Sequence, residues 1–317
     1  MMLVYILFTS LAVFAGAVEG KSQAQTLDTI RLRDPFILPV IEEKTYYLFG
    51  TGWRLGNGPG FMVYKSKDLV HWQGPEAAFR RPEGFWSDRH YWAPEVHSYQ
   101  GKYYLFGSFK TEGVCRGTQI LVSEKPGGPY RPLTDKPATP KDWECLDGTL
   151  YVDTLGKPWM VFCHEWVQVG DGEICALPFS KDLKQATGQA KLLFRASEAK
   201  WVHEIGKAPR RGRVTDGPWL HRTKAGALLM LWSSFGTGGY TLGVARSESG
   251  KLEGPWTQAE KPLYENDGGH GMMFRTFEGK LMLVLHQPNG GGKERPRFFT
   301  VEEKKDTLAI QPETKSK

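Results

Sequence analysis

Three aspartates in this 317-residue chain stand where a short polar opening passes into an apolar run. Asp34 lies in Arg33-Asp34-Pro35-Phe36-Ile37, Asp147 in Leu146-Asp147-Gly148-Thr149, and Asp216 in Asp216-Gly217-Pro218-Trp219-Leu220. Carboxylates brought to one place repel and must be solvated, paired or protonated, so a column selected for packing alone would not hold three of them. Held apart by a rigid frame, they suit cleavage of a glycosidic bond. One activates water as general base and another protonates the leaving oxygen, with about 6.5–9.5 Å between them in the inverting geometry. A third carboxylate beside the acid keeps its pKa high. Any one of these aspartates, taken alone, is equally well a turn or strand-cap residue.

The frame that brings them together is a repeat. Ala93-Pro94-Glu95-Val96-His97 and His270-Gly271-Met272-Met273-Phe274 open in the same way. Counted on Asp34, Ala93, Asp147, Asp216 and His270, the openings are 59, 54, 69 and 54 residues apart. A second apolar strand begins ten to twelve residues after each opening, at Tyr46, Tyr103, Pro158, Leu228 and Leu281. A third ends on Ser66, Ser123, Ser180 and Ser247 in four units, followed by turns such as Gly128-Pro129-Tyr130 and Gly254-Pro255-Trp256. Four strands repeated five times predict an all-β, five-bladed β-propeller with four-stranded antiparallel blades over residues 26–312. No stretch has a helical period, which disfavours α/β folds; a large β-sandwich is the structural alternative. In a propeller the first strand of each blade lines the channel, so the five openings converge on one mouth.

Composition agrees. Glycine and proline are spread along the chain among eleven tryptophans, twelve tyrosines and seventeen phenylalanines, as many short strands joined by turns require. The net charge of +6 is scattered, apart from Arg210, Arg211, Arg213 and a lysine-rich tail near Lys304, which argues against a nucleic-acid partner. Residues 3–18 are almost continuously apolar and end in Ala15-Gly16-Ala17, so residues 1–20 read as a secretory signal and the protein as secreted or periplasmic. The signal lacks a Lys or Arg ahead of the apolar run, which leaves an N-terminal anchor as the alternative. No later stretch is long enough to span a membrane. Cys115, Cys145, Cys163 and Cys175 form no zinc pattern. Cys115 and Cys145 fall in loop-like sequence that an oxidising compartment could bridge, whereas Cys163 reads as a buried strand residue. No interface signature stands out, and a monomer is expected.

Read together, Arg33-Asp34-Pro35, Trp92-Ala93-Pro94-Glu95, Leu146-Asp147-Gly148-Thr149, Asp216-Gly217-Pro218 and Gly269-His270-Gly271 resemble glycoside hydrolase family 43, in order and through all five blades. The resemblance implies an inverting glycosidase acting on arabinosyl, xylosyl or galactosyl linkages of polysaccharides or oligosaccharides. It implies that Asp34 is the base and that Asp147 tunes and orients the acid. The fourth blade departs from the family pattern, which has Glu before Gly-Pro or Ala-Pro where this chain has Asp216. The shorter side chain withdraws the proton donor by about 1–1.5 Å, a displacement that can cost about 100-fold in rate. Three readings follow: Asp216 serves from a shifted backbone, Glu204 reaches in from the loop before it, or the propeller binds carbohydrate without cleaving it.

Aromatic rings near the column offer flat faces to sugars, and Trp53, Trp86, Trp92, Trp166, Trp219 and Phe235 lie near inner-strand ends, although most aromatics in a β protein are core. Trp92, His164, Trp166, Phe235 and Arg295 are the candidate substrate contacts. Strand alternation places His164 and Trp166 on one face and Glu165 on the other. The resemblance implies that Arg295 reaches the substrate and that His270 neighbours a calcium ion. Calcium prefers oxygen ligands, so His270 is equally a channel histidine, and no cofactor is required for the chemistry. The basic loop at residues 207–213 would favour an anionic glycan if it overhung the pocket; a solvated loop is the simpler reading.

Overall fold

The computed structural model describes residues 24–52 and 59–312. The expected signal and Trp53 lie outside the described residues. Five four-stranded antiparallel sheets follow one another along the chain, each running in sequence order from innermost to outermost strand. The innermost strands are Arg33–Val40, Arg89–Tyr99, Cys145–Val152, Asp216–Arg222 and Gly269–Arg275. Each packs on its neighbours and the first meets the fifth, so the sheets close into a five-bladed β-propeller.

The second strands, Thr45–Thr51, Lys102–Thr111, Pro158–His164, Leu228–Gly236 and Leu281–Gln287, carry the core. They lie between blades and are covered on both faces, and Pro158–His164 is buried at every position. That is why they read as continuous apolar runs rather than as alternating ones. The fourth strands thin out to Arg131–Pro132, Trp256–Gln258 and Leu308–Ile310, short edges that offer little to edge-on pairing. The N-terminal segment ties the ring: Gln25 and Trp72 exchange backbone hydrogen bonds at 2.8 Å, while Arg297 Nη1 bonds Asp28 Oδ1 at 2.9 Å from the fifth blade.

Every innermost strand has a bulge at the same place. Arg33, Trp92, Leu146, Asp216 and Gly269 face Thr51, Ser108, Cys163, Ser233 and His286 on the second strand. Three residues further on, the partners have moved by only two. The residue after each of these positions takes a left-handed backbone: φ is 50° at Asp34, 44° at Ala93, 55° at Asp147, 51° at Gly217 and 52° at His270. Five bulges of this kind aim five residues at the axis, and the strained φ at four side-chain-bearing residues is a cost that the closed ring must offset.

All four cysteines are thiols. The two cysteines considered for a bridge are unpaired and lie in strands rather than loops, Cys115 in Val114–Ser123 and Cys145, fully buried, at the start of an innermost strand. Cys163 is buried in a strand, as expected.

Candidate active site

The bulges correct the sequence register in one blade. Asp34, Ala93, Asp147 and His270 occupy equivalent left-handed positions, but in the fourth blade that position is Gly217, and Asp216 stands one residue nearer the mouth. The reason is steric. A Cβ at Gly217 would lie 2.8 Å from the His270 ring, so the axis has room for the imidazole or for a fifth side chain, not both. The prolines carried this signal: Pro35, Pro94 and Pro218 each follow the left-handed residue, and alignment on them selects Gly217.

Each left-handed N–H reaches the preceding blade. Asp34 donates to His286 Nδ1 at 3.1 Å, Ala93 to Thr51 Oγ1 at 2.7 Å, Asp147 to Ser108 Oγ at 2.9 Å and His270 to Ser233 Oγ at 2.8 Å. The acceptors are the second-strand residues that face the bulges. In the third blade that place belongs to Cys163, whose sulfur is a weak acceptor, and the Gly217 N–H donates instead to Asp147 Oδ2 at 3.0 Å. The exception therefore joins Asp147 to the strand that carries Asp216.

Of these residues Asp34, Thr51, Asp147 and His270 line a cavity of about 650 Å³, a size that suits a sugar ligand. His270 Nδ1 lies 3.3 Å from Asp34 Oδ1 and 3.7 Å from Asp147 Oδ2, so one imidazole edge spans the two carboxylates. Asp34 Oδ2 also accepts from Thr51 Oγ1 at 2.6 Å. Asp216 Oδ2 accepts from the Tyr240 hydroxyl at 3.0 Å, and the Tyr240 ring stacks on His286.

Shared burial gives the three carboxyls different fates. Burial favours the neutral form of Asp34, but His270, His286, Arg33 and the Thr51 hydroxyl outweigh it and hold the pKa below the ordinary value. Burial pushes Asp216 up to about 7, with Asp147 adding to the shift while His270 and Tyr240 oppose it. Asp147 is raised well above its usual range by burial, then by the neighbouring Asp34 charge, against the Gly217 N–H. Towards neutral pH Asp34 is thus the carboxylate and Asp216 the group that retains a proton. A base and an acid are poised in one cavity.

The structure brings most of the sequence-selected residues to this cavity: Asp34, Asp147, Asp216, His270, Trp92, Trp166 and Phe235 all line it. His164 and Arg295 do not, and both expectations are corrected. Strand geometry ends at His164, and the helical turn Trp166–Val169 begins two residues later, so alternation no longer applies and Glu165 joins Trp166 on the lining. His164 instead bonds Glu173 and Gln168 at 2.9 Å each and stacks on Trp143. Arg295 donates to the backbone carbonyls of Asp28 and Glu294, both at 2.8 Å, in the ring-closing contact. The arginine beside the carboxylates is Arg33, which donates to Asn289 Oδ1 at 2.9 Å.

Glu204 is held by Arg211 and Arg213 at 2.5 and 3.1 Å, away from the cavity lining. The basic loop forms the hairpin Ile205–Lys207 and Arg210–Gly212, whose Gly212 packs against the Trp166 ring. Trp86 bonds Gln119 and packs on Phe109, and Trp219 stacks on His97 below the column. Among the described residues, no three His, Cys, Asp or Glu side chains are disposed to hold a metal ion. Sequence reasoning missed Arg33, Tyr240, His90 and Glu165 as lining residues. Arg33 was adjacent to a selected aspartate, while Tyr240 reaches the cavity from a third strand that carries no local motif.

The pattern of Glycosyl hydrolases family 43 matches residues 28–303. The chain is 26% identical to the extracellular exo-α-(1→5)-L-arabinofuranosidase ArbA of Cellvibrio japonicus, over 84% of this chain and 80% of that protein. It is 25% identical to extracellular endo-α-(1→5)-L-arabinanase 1 of Bacillus subtilis, over 83% and 77%. A crystal structure described as an endo-arabinase from Bacteroides thetaiotaomicron superposes with a TM-score of 0.85 at 45% identity, over 90% of this chain and 99% of that one.

Proposed function

We propose, from the premise that the chain belongs to glycosyl hydrolases family 43 and is a glycoside hydrolase, that it cleaves α-1,5-linked arabinosyl chains with inversion. The similarity to arabinan-cleaving relatives supports the substrate. The observation that carries the mechanism is the unlike surroundings of two aspartates in one cavity: His270 and the Thr51 hydroxyl face the Asp34 carboxylate, whereas Asp216 is buried with one phenolic bond from Tyr240. Asp34, held ionised by His270 and Arg33, takes a proton from the water that attacks the anomeric carbon. Asp216 gives its proton to the departing oxygen, and Tyr240 fixes Oδ2 so that Oδ1 is the donor atom. Asp147 steadies the strand that carries the acid by accepting from the Gly217 N–H, and because two carboxyls buried this close resist ionising together, its presence raises the pKa of Asp216. Inversion follows because water and leaving group sit on opposite faces of the sugar.

The apolar run at residues 3–18 supports export, as do the extracellular relatives. Among the described residues, no helix is long and apolar enough to cross a membrane. The test is product release from linear arabinan, xylan and galactan, with the anomer of the first-formed product read by proton NMR. Arabino-oligosaccharides or arabinose of inverted configuration are expected from arabinan. Release from xylan or galactan alone would overturn the substrate, and a retained anomer would overturn the mechanism.

A further inference from the structure

The cavity wall built from the second and third blades contains a polar device to which the hydrolytic mechanism assigns no work. His90 lines the cavity two residues nearer the mouth than Trp92 and has a left-handed backbone, φ 56°. Its ring lies parallel to Trp92, with centroids 4.1 Å apart and an angle of 12°. The Arg116 guanidinium stands 4.7 Å over the same tryptophan, buried, and pairs with Glu165. Arg116 also points Nη2 and Nε at His90 Nδ1, at 3.1 and 3.3 Å. A guanidinium only donates, so Nδ1 must accept. A neutral ring that accepts at Nδ1 carries its proton on Nε2. The charges facing His90 favour neutrality: after burial, Arg116, Lys110 and Arg89 outweigh Glu144 and push its pKa down to about 4.

We infer that His90, its tautomer fixed by the Glu165–Arg116 pair, is a hydrogen-bond donor to a hydroxyl of a neutral sugar unit flanking the cleaved one, with Trp92 as the platform that backs its ring. Trp92 holds in the second blade the bulge position that Asp216 holds in the fourth, so the platform and the proposed acid face the cavity from equivalent places. Arg116 and Glu165 act on the sugar through His90 and are positioning residues. The assignment rests on the arabinan reading for its substrate but not for its readout.

The first test uses nitrogen-15 NMR of the wild-type protein with labelled histidine, which carries no folding risk. His90 should show the neutral Nε2–H pattern down to about pH 5; a ring protonated on Nδ1, or titrating near pH 6.5, would overturn the inference. The second test compares His90→Phe, which keeps the ring face and removes the donor, with His90→Gln, which keeps a donor. On arabino-oligosaccharides the Phe variant should raise KM about 3- to 10-fold, the range expected for one lost neutral hydrogen bond, with kcat within about twofold. The Gln variant should fall between it and wild type. A Phe variant with wild-type KM, or a kcat loss with KM unchanged, contradicts the assignment. If wild type cleaves xylo- rather than arabino-oligosaccharides, the substrate reading fails while the same KM contrast, measured on the active sugar, still decides the role of His90.

Discussion

The first and fourth blades deliver aspartates to one cavity from neighbouring positions of the same bulge, and the one-residue offset separates their chemistry. Asp34 occupies the left-handed position, where its carboxylate meets His270 and Thr51 and feels the charge of Arg33. Asp216 occupies the position before it and receives one phenolic hydrogen bond, with a second carboxylate close by. Fold, burial and residue type are the same in both, so burial cannot explain why one is held ionised and the other protonated. The difference lies in how many cationic and donor groups each position can reach. A quasi-symmetric frame can thus generate an acid and a base by shifting register, provided that a glycine vacates the axis for His270.

The largest effect expected is on catalysis. Asp34→Asn should lower kcat on arabinan by about 10³- to 10⁴-fold, toward the upper range for loss of a general base. Asp216→Asn should lower it by about 10²- to 10³-fold. Steady-state rates of the two variants, each checked for a wild-type fold by circular dichroism, separate the two, and equal losses would erase the distinction between the blades.

Next is the pH dependence. Turnover needs Asp34 ionised and Asp216 protonated, so kcat/KM should fall on the acid side below the ordinary carboxylate pKa of 3.8 and on the basic side near about 7. Asp216→Asn should abolish the basic limb in whatever activity remains. A basic limb that survives this substitution would belong to another group.

Stability should then respond with opposite signs. Asp34 has a folded pKa below its unfolded value, so its contribution is present at neutral pH and is lost as pH falls through the folded pKa. Asp216 has a folded pKa of about 7, so its contribution is full below the unfolded value near 3.8 and is lost as pH rises towards 7. At pH 8 Asp216→Asn should raise Tm by on the order of 2–4 °C, a gain that vanishes near pH 4, whereas Asp34→Asn should lower Tm at pH 7. Calorimetry over that range checks both signs.

The smallest effect sharpens the exception in the third blade. Cys163→Ser would place there the same hydroxyl that Ser108 and Ser233 supply elsewhere, drawing the Gly217 N–H away from Asp147. A loss of about 2- to 10-fold in kcat is expected, with an upward shift in the pKa of Asp147 that carboxyl carbon-13 NMR can follow. Unchanged kinetics would mean that the Gly217 bond does not steady the acid.

Much of this was legible in the sequence, for identifiable reasons. Blade number and strand order follow from the five openings because inter-blade strands are buried on both faces and read as unbroken apolar runs. Asp34, Asp147 and His270 were placed by that repeat. Asp216 was found but set one position off, since matching Asp to Asp ignores the backbone; the prolines, which constrain φ and the residue before them, gave the better register. His164 and Glu165 exchanged places because alternation ends with the strand. Arg295 was misdirected because one of its two acceptors, the Asp28 carbonyl, lies 267 residues away. His90 and Arg116 could not be paired from sequence at all, because their contact depends on a left-handed turn at a histidine that no local pattern announces.

The most direct test of the acid and base assignment is leaving-group dependence. Wild type, Asp34→Asn and Asp216→Asn would be compared on an arabinofuranoside with a highly acidic phenol and on an arabino-oligosaccharide. Because an acidic phenol leaves without protonation, Asp216→Asn should keep most activity on the aryl substrate while losing it on the oligosaccharide, and Asp34→Asn should lose both. If Asp216→Asn loses both equally, or keeps the oligosaccharide, the fourth blade does not supply the acid.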